Sequence, residues 1–438
     1  MDMSETGTRG APLPSAAVAR EYFGTDGVRG IVGESITPEL VERLGRAATL
    51  WTGGGRVFVG RDTRASGEEL EEAFARGVAS AGGVAVLAGV LPTPAVALLR
   101  LDLGVVISAS HNPPEYNGVK FFDRAGNKLS DAAEEEIEAL LDADAPGGGE
   151  VVRVDIASDS YLEHVLERFA IDLSGLRIVV DCANGAYAGL APAAFEQLGA
   201  RVHAIGDSPD GANINVGCGA TDLAALSATV RGGDFDLGVA FDGDGDRMLA
   251  VDENGEPVDG DQIVAALALH LGVDTVAVTS MTNLGFHRLM EEHGIRVLVT
   301  DVGDRYVLEA LRREGALLGG EQSGHVIWLD GHVTGDGLVA TLLLCGALQG
   351  RRLSEVVAVM QRFPQAKQNV PRTGRRPLPQ ALSAEIERRN EALNGSGRVL
   401  VRPSGTEPVV RVLAEAETRE EAESLCATVA ALVTRELG

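Results

Sequence analysis

Residues 237–251 read LGVAFDGDGDRMLAV: an apolar run from Leu237 to Phe241, the turn Asp242-Gly243-Asp244-Gly245-Asp246-Arg247, and a second apolar run over 248–251. Short apolar runs on both sides of a tight polar turn read as two strands joined by a loop. Three carboxylates at alternate positions can converge on one cation, and the glycines between them let the backbone curl closely around it. All-oxygen ligands favour Mg2+, Mn2+ or Ca2+ over Zn2+. An EF-hand would take Asp242, Asp244, Asp246 and Glu253 as ligands, but it needs glycine where Arg247 stands and helices where these strands stand.

Outward from this hairpin, short β-branched runs alternate with Gly or Asp turns and Ala/Leu/Glu-rich stretches, the pattern of α/β units. Residues 56–59 lead to a helix near 68–81, 84–87 to one after Thr93, and 177–180 to one after Leu190. Residues 275–278 precede a helix at 287–293, and 297–299 precede one at 305–314. The chain has 438 residues, and at roughly 100 to 200 per domain that is more than one core. Composition breaks at 145–149, 252–257 and 363–377 divide it into a loose tail (1–20) and domains over 21–150, 151–253, 254–364 and 365–438. The fold expected is α/β: three similar three-layer α/β/α domains with mixed sheets, and a smaller C-terminal α+β domain, around a central cleft.

With 45% apolar and 23% charged residues the chain can bury a substantial core. Its 38 Lys plus Arg against 64 Asp plus Glu give a net charge of −26, which argues against a nucleic-acid partner. The apolar stretches near 263–271 and 338–348 fall short of the about 18 residues of a membrane span and read as buried helices. The N-terminus has no apolar core of a secretory signal. Cys182, Cys218, Cys345 and Cys426 make no metal-ligand spacing, and a reducing cytoplasm is expected.

Four more stretches carry chemistry. Ser108-Ala109-Ser110-His111-Asn112-Pro113 follows an apolar strand, so Ser110, beside an imidazole on a tight turn, is a candidate nucleophile. Lys120, one of three lysines in the chain, lies among apolar neighbours, which is expected to lower its pKa toward proton transfer. Arg402-Pro403-Ser404-Gly405-Thr406-Glu407-Pro408, with Arg411, offers an Arg fork, hydroxyls and turn N–H groups suited to a phosphate monoester. Gly319-Gly320-Glu321-Gln322-Ser323-Gly324-His325 offers groups suited to sugar hydroxyls. These loops are expected to meet in one cleft.

Eleven segments together resemble the α-D-phosphohexomutase superfamily, and most closely its glucosamine-phosphate branch. They are FGTDGVRG (23–30), SASHNP (108–113), NGVKFF (117–122), DCANGA (181–186), NINVGCGATD (213–222), DGDGDR (242–247), VDGDQI (258–263), VGDRYVLE (302–309), GGEQSGH (319–325), TGDG (334–337) and RPSGTEP (402–408). The resemblance implies a four-domain enzyme that interconverts glucosamine 6-phosphate and glucosamine 1-phosphate for UDP-N-acetylglucosamine synthesis, as a monomer or homodimer. It implies that Ser110 is a phosphoserine and that one Mg2+ per chain is held by Asp242, Asp244, Asp246 and a Ser110 phosphate oxygen. A glucosamine or glucose 1,6-bisphosphate is implied as primer and intermediate.

Further implied are sugar binding at Glu321, Ser323 and His325, and phosphate binding at Arg402, Ser404, Gly405, Thr406 and Arg411. Lys120, His111, Arg29 and Arg247 are implied at the reacting end. Ser108 before Ala109 and Gln322 after Glu321 favour this branch over the phosphomannomutase/phosphoglucomutase branch, where Thr and Met are expected. Asp301 is expected to make one edge of the cleft more acidic. An aspartyl phosphatase would need a hydroxyl where Asp246 stands, and a calcium-binding module would leave Ser110, Lys120 and 402–408 without a role.

Overall fold

The structure, a computed structural model, describes residues 21–24, 26–372, 378–403 and 408–437. Four sheets follow one another along the chain. The first holds β1 (Val28–Ile31), β2 (Arg56–Arg61), β3 (Val84–Val90), β4 (Leu103–Ile107), β5 (Tyr116–Phe122) and β6 (Glu150–Arg153), in the order β1-β5-β4-β2-β3-β6. The second holds β7 (Arg177–Asp181), β8 (Arg201–Ile205), β9 (Leu237–Phe241), β10 (Met248–Asp252) and β11 (Pro257–Val258), in the order β11-β10-β9-β7-β8. In the third, β13 (Arg296–Thr300), β12 (Thr275–Thr279), β14 (Leu318–Gly320) and β15 (Val326–Trp328) are neighbours in that order. The last is antiparallel, with β18 (Val409–Ala416) between β16 (Gln365–Pro371) and β17 (Gly397–Pro403).

The expected α/β units form at the expected places, and the first three sheets are mixed. Each contains the same device. A parallel strand ends in a loop, and the chain returns antiparallel along its edge: β4 to β5, β9 to β10, β14 to β15. β4 and β9 are buried throughout, which is why they read as unbroken apolar runs. The three loops therefore leave the carboxyl ends of parallel strands, where α/β sheets place ligands. β6 and β11 complete the first and second sheets from beyond the junctions expected at residues 150 and 253.

Helices Gly260–Leu271 and Gly337–Leu348 are buried, as their composition implied. Asp259 caps the first and Asp336 the second through side-chain oxygens, satisfying N–H groups that a helix start leaves open. One apolar core runs from helix Thr93–Leu99 through the second sheet into helix Gly337–Leu348, joining three sheets. The last sheet has a core of its own, built on Val399, Val410, Val412, Val429 and Val433. Among the described residues no helix is long and apolar enough to cross a membrane.

Candidate active site

Asp242, Asp244 and Asp246 are buried in the β9–β10 loop, and one ligand oxygen from each can lie within 4.8 Å of the others. Gly243 and Gly245 are required there. A Cβ on Gly243 would meet Ser110 O at 2.7 Å, and Gly245, at φ +77°, has the ring of Tyr187 2.4 Å from where a Cβ would stand. Burial, and then the neighbouring Asp246 and Asp244 charges, push the Asp242 carboxyl up to about 8. Asp244 Oδ1 and Asp246 Oδ1 are buried with no hydrogen-bond partner. Crowded, orphaned oxygen donors of this kind fit a hard divalent cation such as Mg2+.

Ser110 lies near the start of the loop that follows β4, buried, with φ +52°, a conformation rare outside glycine. Its Oγ donates to Asp242 Oδ2 at 2.6 Å and lies 3.3 Å from His111 Nδ1. The strained turn is held from several sides. Ser108 Oγ accepts the Ser110 N–H (2.8 Å), while Arg64 Nη2 and Asn215 Nδ2 both donate to Ser110 O at 2.9 Å. Arg64 also donates to the carbonyls of Asn112 (2.8 Å), Tyr116 (2.9 Å) and Pro113, and Asp62 joins Arg64 to Ser108.

Lys120 stands on the returning strand β5, opposite Val106. Its Nζ is 2.6 Å from Asp244 Oδ2, 3.2 Å from Asp246 Oδ2 and 3.3 Å from Asp26 Oδ2. Burial alone would push this lysine down, but Asp244, Asp246 and Asp26 outweigh it and hold it above the usual lysine range. The downward shift expected from its apolar flanks is thus reversed, because the carboxylates opposite come from elsewhere in the chain. Thr93 Oγ1 donates to Asp244 Oδ2 at 2.6 Å.

The surrounding charges alternate in sign. Lys128 Nζ bridges Asp26 Oδ1 (2.5 Å) and Asp304 Oδ2 (2.6 Å), and Arg29 pairs with Asp26. His325, at the start of the β14–β15 return, has Nδ1 3.6 Å from Asp246 Oδ1 and Nε2 3.4 Å from Asp304 Oδ2. Burial opposes its protonation, yet Asp304 and Asp246 raise it above the usual histidine value. His111 goes the other way: burial, then Arg247 and Arg29, lower it to about 4. The Arg247 N–H donates to Asp242 Oδ1 at 3.1 Å, and its guanidinium interacts with Asp246, Asp242 and Glu321.

Glu321 and Ser323 line a cavity of about 240 Å³ together with Thr279, Met281, Arg402 and Arg411. Arg402 and Arg411 are opposite partners on β17 and β18. Burial, and then Arg411 beside it, lower Arg402's pKa, against the pull of Asp301 and Glu321. Asp301 is exposed and interacts with Arg402. Ser404, Gly405 and Thr406 lie outside the described residues.

Models of the phosphoglucomutase/phosphomannomutase family match nearly end to end: alpha/beta/alpha domain I over residues 20–146, domain II over 159–255, domain III over 259–363 and the C-terminal domain over 353–432. The chain belongs to the phosphoglucomutase/phosphomannomutase family. It is 49% identical to the phosphoglucosamine mutase of Moorella thermoacetica over 434 residues, 93% of this chain and 98% of the relative. A phosphoglucomutase/phosphomannomutase family protein from Burkholderia thailandensis has the same fold (TM-score 0.80, 26% identity, 94% of this chain and 97% of that one). So does N-acetylphosphoglucosamine mutase from Aspergillus fumigatus, solved in complex with GlcNAc-6P and magnesium (TM-score 0.71, 20% identity, 95% of this chain and 96% of that one).

The structure of this family member adds residues to which sequence reading gave no role: Asp26, Asp62, Arg64, Thr93, Lys128, Asn215 and Asp304. Asp26, Asn215 and Asp304 sit inside segments that carried the resemblance. Asp62 and Arg64 had a weaker signal, a charged Arg61-Asp62-Thr63-Arg64 run at the carboxyl end of an apolar strand.

Proposed function

We propose that the chain is a phosphoglucosamine mutase, an isomerase that moves a phosphoryl group between O6 and O1 of glucosamine phosphate. The observation that carries this reading is Ser110 Oγ, 2.6 Å from a carboxylate of the three-aspartate loop, whose Arg247 interacts in turn with Glu321 of the cavity that Arg402 and Arg411 line. In the active form Ser110 carries a phosphate. The P–O bond to Ser110 breaks as a bond forms to the free sugar hydroxyl, whose proton leaves into the cleft, giving a 1,6-bisphosphate. The bisphosphate turns over, and its other phosphate returns to Ser110.

Asp242, Asp244, Asp246 and an oxygen on Ser110 would hold one Mg2+, which supplies positive charge against the transferring phosphoryl group. Phosphoryl transfer needs such charge and in-line placement more than covalent machinery. Arg247, Arg29 and the neutral His111 line the reacting end. Lys120, which stays protonated because Asp244, Asp246 and Asp26 outweigh its burial, would act at the reacting end as a proton donor, to the oxygen that the phosphoryl group leaves. Arg402 and Arg411, with Ser404, Gly405 and Thr406, hold the phosphate that is not reacting, while Glu321, Ser323 and His325 hold the sugar. A sugar bisphosphate primes an unphosphorylated chain. Every group used belongs to a single chain, so a monomer suffices and a homodimer is compatible. The cytoplasm, with its sugar phosphates and reduced thiols, is the compartment proposed.

The test is the ratio of kcat/KM for glucosamine 6-phosphate, glucose 6-phosphate and mannose 6-phosphate, with Mg2+ and catalytic hexose 1,6-bisphosphate. A preference of about tenfold or more for glucosamine 6-phosphate, or about 1.4 kcal/mol in the transition state, is expected. A preference for glucose or mannose phosphate would leave the chemistry in place and overturn the sugar.

A further inference from the structure

The segment Thr334-Gly335-Asp336-Gly337 has no part in the chemistry above, yet it touches both sides of it. The imidazole of His325 lies against Gly335, where a Cβ would stand 2.2 Å from Nε2. The Gly337 N–H donates to the carbonyl of Gly245 in the metal loop at 3.0 Å. Between them Asp336 is buried, and its Oδ1 accepts the N–H groups of Leu338 (2.8 Å) and Val339 (3.1 Å) at the helix start.

The same carboxylate accepts hydrogen bonds from two tyrosines that precede the metal loop in the chain. Tyr187 OH reaches Oδ1 at 2.7 Å and Tyr161 OH reaches Oδ2 at 2.8 Å, with His332 Nε2 3.0 Å from Oδ2. The two tyrosines differ in what their rings touch. Tyr187 lies directly behind Gly245, and its centroid is 4.7 Å from that of Phe241, the residue before Asp242. Tyr161, on helix Ala157–Phe169, packs on Tyr187, with 6.5 Å between centroids.

We infer that Tyr187, tethered by its hydroxyl to Asp336, is a positioning residue for the metal loop and sets how tightly Asp242, Asp244 and Asp246 hold a divalent cation. The inference rests on the reading that these three carboxylates bind Mg2+. A ring clamped on one side by Asp336 and pressed on the other against Gly245 fixes the corner between the second and third ligands. A loop whose glycines leave it free to move would otherwise lose that register. Groups that hold ligands in place commonly matter to metal affinity nearly as much as the ligands do.

Tyr187→Phe and Tyr161→Phe each remove one hydrogen bond to the same carboxylate, both remove the 2.7 Å contact between the two hydroxyls, and both keep the ring. Each full-length variant, stripped of metal, is titrated calorimetrically with Mg2+, and its unfolding midpoint is measured without metal. Tyr187→Phe is expected to weaken Mg2+ binding about tenfold, and Tyr161→Phe by no more than about twofold, with comparable falls in the midpoint. Affinity within about twofold of wild type in Tyr187→Phe, or equal weakening in both variants, overturns the inference, the latter because general softening then explains the loss. Asp244→Asn runs in parallel. If it binds Mg2+ as wild type does, the metal assignment is what fails, and the role of Tyr187 falls with it.

Discussion

Arg64 Nε lies 2.9 Å from Asp62 Oδ2, both side chains are shut off from solvent, and the guanidinium spends its other donors on the backbone that shapes the Ser110 turn. The pair thus converts a buried ion pair into a mould for a strained serine. Arg64→Ala leaves Asp62 charged and buried without its partner and strips the Ser110 and Asn112 carbonyls of a donor. A loss of about 3 to 5 kcal/mol in denaturant unfolding is expected, with a fall in kcat. A loss under about 1 kcal/mol would show that the turn holds itself.

Ser110→Ala removes the atom that accepts and returns the phosphoryl group, so turnover is expected to fall to background while Mg2+ still binds, more weakly, to the three aspartates. Phosphatase treatment of the wild type is expected to remove one phosphate, mapped to Ser110 by mass. Turnover near wild type in the variant would end the nucleophile assignment.

Arg411→Ala leaves Arg402 alone at the far end of the cavity. An arginine on phosphate that is held equally before and during transfer contributes to binding, so KM is expected to rise about tenfold with kcat largely kept. An unchanged KM would remove Arg411 from the phosphate site.

Asp261, under the Glu321 loop, accepts hydrogen bonds from the Asn283 N–H (2.8 Å) and Gln322 Nε2 (3.2 Å), but burial, and then Asp259, push its pKa up to about 7. The folded state therefore keeps a proton that the unfolded chain gives up near pH 4. The stability this group confers is complete below about pH 4 and is lost as pH rises to about 7, a span of about 4 kcal/mol. Asp261→Asn cannot ionise, so its unfolding free energy should fall less than the wild type's between about pH 5 and about pH 8. Parallel slopes for the two proteins would show that Asp261 is ionised throughout.

The metal loop could be read from sequence because everything that defines it is local: two apolar runs, two glycines and three carboxylates within fifteen residues. Ser110, Glu321 and His325 were legible for the same reason, each lying in a polar loop beside an apolar strand. What could not be read is partnership across the chain. Lys120 sits among apolar neighbours in sequence, and the carboxylates that reverse its pKa shift are 124 and 126 residues away. Asp62 and Arg64 had no role in the sequence, since only the folded turn brings four carbonyls to the guanidinium. β6 and β11 are short edge strands, and their membership of the first two sheets is decided by pairing, which a sequence does not display. Tyr161 and Tyr187 gave no signal at all, because a buried tyrosine looks the same in sequence whether it fills space or holds a carboxylate.

Ser110 and Asp242 touch although they stand 132 positions apart in the chain. On the ribosome the serine therefore leaves the exit tunnel long before the carboxylate that accepts its hydrogen bond, and longer still before Arg411. A nascent or truncated chain has a nucleophile with nothing to activate it and no grip on a sugar phosphate. Chemical competence is therefore a property of the assembled domains together and of none of them alone.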